Sequence, residues 1–102
     1  MPRKAMDILT ESMFYVLMAL CDGAKCGTEI AEFIEKRTRA RVPMGPATLY
    51  TILSKFEKEN YIQEIFVSGR KRTYRITEKG TEAYLEELAR LKQCVADAEG
   101  GI

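Results

Sequence analysis

The chain has 102 residues, of which 46% are apolar and 30% charged, the composition of one globular domain with a modest core. Its net charge is only +1, but 13 of its 16 basic residues and 9 of its 15 acidic residues lie within residues 1–77. The front of the chain is therefore basic and the tail acidic. That distribution is compatible with a nucleic-acid-binding body and a separate C-terminal element.

The composition offers no support for a catalytic or metal-binding protein. The chain has no histidine, and its three cysteines, Cys21, Cys26 and Cys94, form no C-x-x-C pair. These absences argue against a zinc site and against Ser-His or Cys-His catalysis. The longest apolar run, Met13–Cys21, is too short to cross a membrane. We expect a cytoplasmic protein with reduced thiols that is not an enzyme and uses no cofactor.

The first part of the chain predicts two helices. Residues 1–9 precede any periodic pattern and are expected to form a flexible arm. Thr10 can cap a first helix that runs to about Cys21 and is apolar on almost every side. Such a helix has to be covered both by its own core and by a further surface, for which a second subunit is expected. A second helix is predicted over Thr28–Arg37, followed by a loop rich in Arg, Pro and Gly.

A third helix, predicted from Pro46 to about Asn60, has features suited to reading DNA. Proline at the first helical position marks its start. One face is an apolar stripe, Leu49, Ile52, Leu53 and Phe56. The opposite face carries small hydroxyl and cationic side chains that suit base edges and phosphates in a major groove. An ordinary amphipathic surface helix would have the same pattern.

The remaining segments predict a hairpin and a long last helix. Two strand-like runs, Tyr61–Val67 and Thr73–Ile76, flank a turn at residues 68–72. The three cations of that turn suit contact with DNA phosphates, although a solvated turn that protects a sheet edge is the alternative. Thr77 can cap a helix from Glu78 to about Asp97, which would be about 30 Å long. The order of elements is that of a winged helix-turn-helix module.

The sequence therefore predicts a mainly α fold with a small β-hairpin. Its expected organisation is a flexible arm over residues 1–9, a winged helix-turn-helix domain over 10–77, and a C-terminal dimerisation helix with a frayed tail over 78–102. The last helix has a short coiled-coil-like seam. The predicted dimer interface consists of Tyr84, Leu85, Leu88, Leu91 and Val95.

Several motifs resemble the PadR family of bacterial transcriptional regulators. The resemblance is carried by residues 9–11, 27–30, 45–50, 57–62 and 70–80, and it covers about residues 9–90. It departs where Cys26-Gly27-Thr28 replaces a common His-Gly-Tyr and where Ala47 replaces Gly. The resemblance implies a DNA-binding regulator that dimerises through its last helix. Some family members respond to phenolic acids or planar cationic drugs.

The residue pattern and the resemblance together identify candidate sites. DNA is expected to contact Thr48, Tyr50, Thr51 and Lys55 on the third helix and Arg70, Lys71, Arg72 and Tyr74 on the hairpin. Packing roles are open for the two tyrosines. A pocket for a small aromatic or hydrophobic effector is predicted at Phe14, Tyr15 and Met18.

The predicted function is that of a homodimeric, sequence-specific double-stranded DNA-binding regulator. It is expected to act as a repressor that competes with polymerase and is released by a small hydrophobic effector. The alternative is a winged-helix protein-interaction module without DNA binding. Cys26 lies near a helix start, where a thiolate is favoured, so a redox switch and an inert small residue are both open.

Overall fold

The computed structural model describes residues 9–100, which fold into four helices and a three-stranded sheet. In chain order the elements are α1 (Glu11–Cys21), β1 (Lys25–Cys26), α2 (Gly27–Thr38), α3 (Pro46–Lys58), β2 (Ile62–Ser68), β3 (Lys71–Ile76) and α4 (Glu78–Glu99). This arrangement confirms the predicted winged helix fold.

The sheet has the order β1-β3-β2, with antiparallel pairing throughout. Strands β2 and β3 with their turn, residues 62–76, form the wing. Its turn is only Gly69 and Arg70, and the φ of Gly69 is +62°, a conformation that glycine adopts without strain. Lys71 and Arg72 therefore lie in β3 rather than in the predicted turn. Strand β1 was missed by sequence reasoning, because two residues carry no readable periodicity.

Helix α1 lies at the centre of the hydrophobic core. The Met13 amide donates a hydrogen bond to the Thr10 hydroxyl at 3.1 Å, as expected for a helix cap. Leu9, which the sequence pattern assigned to the flexible arm, is 6% exposed and belongs to the core, while the rest of that arm lies outside the described residues. The fully buried large apolar side chains of the core are Val16, Leu17, Leu20, Ile30, Ile34, Leu53 and Phe56.

A tight loop, residues 39–45, connects α2 to α3. The hydroxyl of Thr38 donates to the Ile34 carbonyl at 2.8 Å and accepts from the Val42 amide at 3.3 Å. Between them Arg39 and Ala40 have φ values of 53° and 61°, in the left-handed region. The chain thus reverses within a few residues and buries Val42 in the core.

Helix α4 is anchored to the end of the wing. The Thr77 amide donates to the Tyr61 carbonyl at 2.9 Å, and its hydroxyl accepts from the Gly80 amide at 3.1 Å. Further along, Tyr84, Leu88 and Leu91 pack partly buried against the core. The N-terminal half of α4 therefore covers the winged helix domain before the helix extends beyond it.

Candidate nucleic-acid interface

Helix α3 presents a polar ridge to solvent. Its apolar stripe is buried as predicted, with Phe56 fully enclosed. The candidate DNA-contacting residues Thr48, Thr51 and Lys55 are exposed. The Thr51 hydroxyl donates to the Ala47 carbonyl at 2.9 Å, which leaves its oxygen lone pairs free to accept from a base or a bridging water.

Three of the predicted DNA-contacting residues lie on one flank of α3. Thr48, Thr51 and Lys55 line a groove of about 500 Å³, here called the α1 groove, whose opposite wall is formed by Thr10 and Ser12 at the start of α1. Sequence reasoning missed these two wall residues. Thr10 was predicted only as the cap of α1, and the position of that helix beside α3 is a tertiary feature that no sequence signal reveals.

Tyr50 lies on the other flank, apart from the threonines. Its side chain is 57% exposed and borders a second concavity of about 370 Å³, the wing pocket, between the start of α2 and the wing. The pocket is lined by Cys26, Gly27, Thr28, Tyr50, Arg70, Lys71, Arg72 and Tyr74. The eight predicted DNA contacts thus form two groups on opposite flanks of α3.

The wing cations differ in their surroundings. All three are exposed, but only Arg72 has an acidic partner among the described residues, with its Nη1 3.3 Å from Oε1 of Glu64 across the hairpin. Arg72 is thus partly neutralised within the protein. Tyr74 is 4% exposed, and burial raises the pKa of its phenol. Its ring is part of the core, with its edge at the wing pocket.

The start of α2 is closed by a side-chain cap. The Cys26 amide donates to Oε1 of Glu29 at 2.8 Å. This hydrogen bond, with a weaker one from the Cys26 thiol and the charge of Lys71, lowers the pKa of Glu29. Cys26 itself is buried, while Cys21 and Cys94 are exposed.

The predicted dimer residues separate into two groups. Tyr84, Leu88 and Leu91 already contact their own core. Leu85 and Val95, by contrast, are each 54% exposed on α4. An apolar surface is therefore available on α4 without any change in the fold.

The residues predicted to bind an effector already make contacts within the chain. The ring of Phe14 stacks on Tyr84, with centroids 5.0 Å apart and planes 17° apart. The Tyr15 hydroxyl accepts from Nη2 of Arg41 at 3.3 Å, and Met18 is partly buried against the core. Phe14 is thus a packing residue in the single chain, and Tyr15 and Met18 retain exposed surface.

The model of the transcriptional regulator PadR-like family matches residues 16–86. This chain belongs to the PadR-like family. The match begins within α1 and covers the remainder of the winged helix and the first part of α4, so it includes all of α3 and the wing. The resemblance found in the sequence motifs is confirmed.

Individual relatives agree with this assignment. An uncharacterized protein of Lysinibacillus sphaericus is 33% identical over 79 residues, 74% of this PadR-like chain and 72% of the relative. A transcriptional regulator of Clostridium thermocellum is 26% identical, with a TM-score of 0.77 over 85% of this chain and 88% of that one. Bacillus subtilis PadR in complex with operator DNA is 19% identical, with a TM-score of 0.68 over 78% of this chain and 47% of PadR.

Among residues 9–100, no group of three or more Cys, Asp or Glu side chains is placed to hold a metal ion. No helix in the same residues is long and apolar enough to cross a membrane.

Proposed function

We propose that this PadR-like protein is a cytoplasmic, homodimeric regulator that binds double-stranded DNA sequence-specifically. The observation that carries the proposal is the exposed polar ridge of α3 beside an exposed cationic wing tip. Short hydroxyl side chains allow a helix to approach base edges closely, and cations beside it meet the phosphate backbone. The same fold occurs in Bacillus subtilis PadR, which was solved in complex with operator DNA, and this supports duplex DNA as the ligand.

In this proposal the two flanks of α3 have different roles. Thr48 and Thr51 contact base edges, and Lys55 contacts a base or phosphate beside the α1 groove. Arg70, Lys71 and Arg72 meet phosphates, because long cations clustered at a hairpin tip suit a polyanionic backbone better than one base. Tyr50 adds a phenol hydroxyl on the wing side, and Tyr74 holds β3 in place.

The dimer is proposed to form through α4. Its 22 residues reach about 33 Å, beyond the part that covers the core. The exposed Leu85 and Val95 would pack against a partner, together with the outer edges of Tyr84, Leu88 and Leu91. A two-fold interface uses the same patch on both subunits, so each apolar contact occurs twice.

Regulation is proposed to be repression that a small aromatic or hydrophobic effector relieves. Occupation of a promoter by the dimer would exclude polymerase. The effector would bind where α1 meets the dimer, against the exposed surfaces of Tyr15 and Met18, with Phe14 behind them. A thermal-shift screen of phenolic acids and planar cationic drugs, combined with an assay of DNA release, tests this step. A screen in which no compound shifts either the Tm or the DNA affinity counts against an effector there.

The alternative of a protein-interaction module draws on one observation. Strand β2 exposes three consecutive apolar residues, Ile65, Phe66 and Val67, at 47%, 60% and 50%. An exposed apolar patch on an edge strand is a common feature of protein-binding surfaces. This alternative predicts no salt-dependent binding to duplex DNA.

Selection from a random duplex pool, followed by titration at several salt concentrations, tests the proposed function. We expect a preferred sequence and an affinity that falls steeply with salt. Thr48→Val and Thr51→Val should change the preference among sequences by about 1–3 kcal/mol at the bases they contact. Full-length protein that binds no duplex at low salt would refute DNA binding and favour the protein-interaction module.

A further inference from the structure

Strand β2 has one edge without a strand partner. The sheet order β1-β3-β2 places β2 outermost, and among residues 9–100 no further strand covers its free edge. Native sheets commonly protect such an edge with proline or charged side chains. Residues 65–68 contain neither a proline nor a charged residue. This edge of the wing is therefore open to pairing with another strand.

The free strand is also apolar on both faces. The side chains of Ile65, Phe66 and Val67 are 47%, 60% and 50% exposed. Phe66 and Val67 lie opposite successive residues of β3, so their side chains point to different faces of the sheet. The bulge between Glu64 and Phe66 adds Ile65 as an extra residue on β2 alone. Apolar surface thus borders the free edge on both sides of the sheet.

We propose that β2 pairs antiparallel with β2 of a second dimer, so that dimers at neighbouring operator sites bind DNA cooperatively. This inference rests on the proposed function, which supplies the α4 dimer and the duplex. In this pairing Phe66 lies opposite its own copy across a two-fold axis, and Ile65 lies opposite Val67 of the second copy. A two-fold contact needs only one self-complementary patch, and aromatic and β-branched side chains are favourable cross-strand partners.

The charges along the wing favour this antiparallel pairing. Glu64 precedes the apolar residues of β2, and the turn with Arg70, continued by Lys71, follows them. Antiparallel copies bring each Glu64 toward the cationic turn of the other wing, whereas parallel copies would align the two carboxylates with each other. Opposite charges across paired strands are stabilising and like charges are destabilising. The charge pattern of the wing is thus complementary to a second copy of itself.

The patch is too small to hold two dimers together in free solution. Stable interfaces bury about 1,200–2,000 Å² in total. Because a fully buried aromatic side chain contributes about 150–250 Å², three half-exposed side chains from each copy provide less. Two dimers on one duplex are held at a high effective concentration, at which a weak contact is sufficient. We therefore expect the dimer to be the largest species without DNA, and cooperativity to arise only on DNA.

Duplexes with one or two copies of the selected site measure this contact. The spacing between the two sites is increased in single base pairs over two helical turns. We expect the second dimer to bind about tenfold more tightly than a dimer binds the single site, with a maximum that recurs every 10.5 base pairs or so, since the wings meet only on one face of the duplex. Cooperativity is the ratio of these two affinities, so any change in direct DNA contacts cancels.

Ile65→Thr combined with Phe66→Thr removes the apolar surface and keeps β-branched side chains that suit a strand. Both positions are exposed, so the variant should retain the wild-type Tm. We expect it to bind the single site as wild type does and to lose the tenfold cooperativity. Gln63→Thr is the matched control, because it introduces the same residue at an exposed position of β2 outside the apolar patch. It should remain cooperative.

Disulfide trapping tests the antiparallel register. Phe66→Cys, in a chain whose exposed Cys21 and Cys94 are replaced by Ser, places two thiols opposite each other across the two-fold axis. Opposed residues of antiparallel strands have Cα atoms about 4.5–5.5 Å apart, within the range that a disulfide spans. We expect cross-linked chains on the cooperative duplex, and none on the single-site duplex or without DNA. Glu35→Cys, at an exposed position of α2, is the control and should not cross-link.

Four results would overturn the inference. Binding to the single site without cooperativity at any spacing removes the β2 contact and leaves the proposed function intact. Cooperativity that the double variant retains, or that is not accompanied by cross-links at Phe66→Cys, would place the contact between dimers elsewhere. Cross-links at Phe66→Cys in the DNA-free protein would assign β2 to contacts that do not depend on DNA. Absence of any duplex binding removes the proposed function as well.

Discussion

The Cα of Gly80, in the first turn of α4, lies directly against the carbonyl oxygen of Tyr61, the residue that precedes β2. A Cβ at this position would collide with that oxygen and lie 2.9 Å from Cγ1 of Ile76. The carbonyl is fixed, since it accepts from the Thr77 amide at 2.9 Å. Glycine thus sets the distance between α4 and the winged helix domain.

Gly80→Ala should therefore destabilise the fold by about 3 kcal/mol, because a backbone group has to move to admit the methyl group. Urea unfolding measures this change. Gly27→Ala is the matched control, because its Cβ would meet only side-chain atoms at 3.6 Å or more, and it should change stability by less than about 1 kcal/mol. Equal stability of the two variants would contradict the close approach at Gly80.

Ala40→Gly should stabilise the protein. Ala40 has a φ of 61°, where an L-residue with a Cβ is strained and glycine is not. After allowance for the greater freedom of glycine in the unfolded chain, the expected gain is about 0.5 kcal/mol in urea unfolding. Ala89→Gly, at an exposed position within α4, should instead cost about 1 kcal/mol. A loss at both positions would refute strain in the α2–α3 loop.

The sequence was a reliable guide to elements with strong periodicity and clear caps. The stripe of α3 and the caps at Thr10 and Thr77 are where the pattern predicted them. The third helix was predicted to reach Asn60 but ends at Lys58, because Asn60 adopts a φ of 63° that no helix continues. Local patterns determine such elements, and boundaries depend on single backbone conformations.

The candidate site was only partly accessible from the sequence. Residues on α3 and at the wing tip could be selected by type, since charge and hydroxyl content are visible in the chain. The division of these residues between the α1 groove and the wing pocket was not, because it depends on where α1 and α2 begin in space. Thr28 and Ser12 belong to the candidate site only because the fold places them beside α3 and the wing.

Glu29 should make stability depend on pH. Its pKa is lowered by the hydrogen bond from the Cys26 amide, the contribution of the Cys26 thiol and the charge of Lys71. The folded protein thus binds this proton less readily than the unfolded chain. Its contribution is present above the unfolded pKa of about 4.3 and is lost as pH falls through the lower folded value.

Glu29→Ala should accordingly lower the urea midpoint at neutral pH, and the difference from wild type should narrow as the pH falls below about 4. Glu29→Gln keeps an acceptor oxygen for the Cys26 amide without the charge. Its urea midpoint at neutral pH should therefore fall less than that of Glu29→Ala. A difference between wild type and Glu29→Ala that stays constant across this range would show that the carboxylate charge has no part in capping α2.

The wing cations should differ in their contributions to DNA affinity. Arg70→Ala and Lys71→Ala should each flatten the dependence of log K on log salt by up to about 0.9 per lost phosphate contact. Arg72→Ala should do less, because Glu64 already pairs with it at 3.3 Å. Fluorescence anisotropy at several salt concentrations gives these slopes.

Glu64→Gln provides the converse change, since it frees Arg72 and removes a negative charge near DNA. Affinity should rise and the salt slope should steepen. Glu82→Gln, an equal charge change at an exposed position on α4, is the control and should change neither. If Arg72→Ala produced the largest loss and Glu64→Gln no gain, the Arg72–Glu64 pair would have no influence on binding.

The dimer interface can be tested without disturbing the core. Leu85 and Val95 are exposed in the single chain, so Leu85→Lys with Val95→Lys should leave the monomer folded while placing two charges in each half of the proposed interface. Burial of one such side chain is worth about 1.5–3 kcal/mol, and symmetry doubles each loss. Sedimentation equilibrium should show a dimer for wild type and a monomer of unchanged helical content for the variant.

Gln93→Lys is the matched control for that experiment, since it adds a charge to another exposed position on α4, beside its hydrogen-bond partner Asp97. It should remain dimeric. Leu88→Asp with Leu91→Asp gives a contrasting result, because both residues also pack against the core, and loss of the dimer should there be accompanied by a lower Tm. A wild-type chain that sediments as a monomer at tens of micromolar, roughly the range of a modest affinity, would exclude dimerisation through α4.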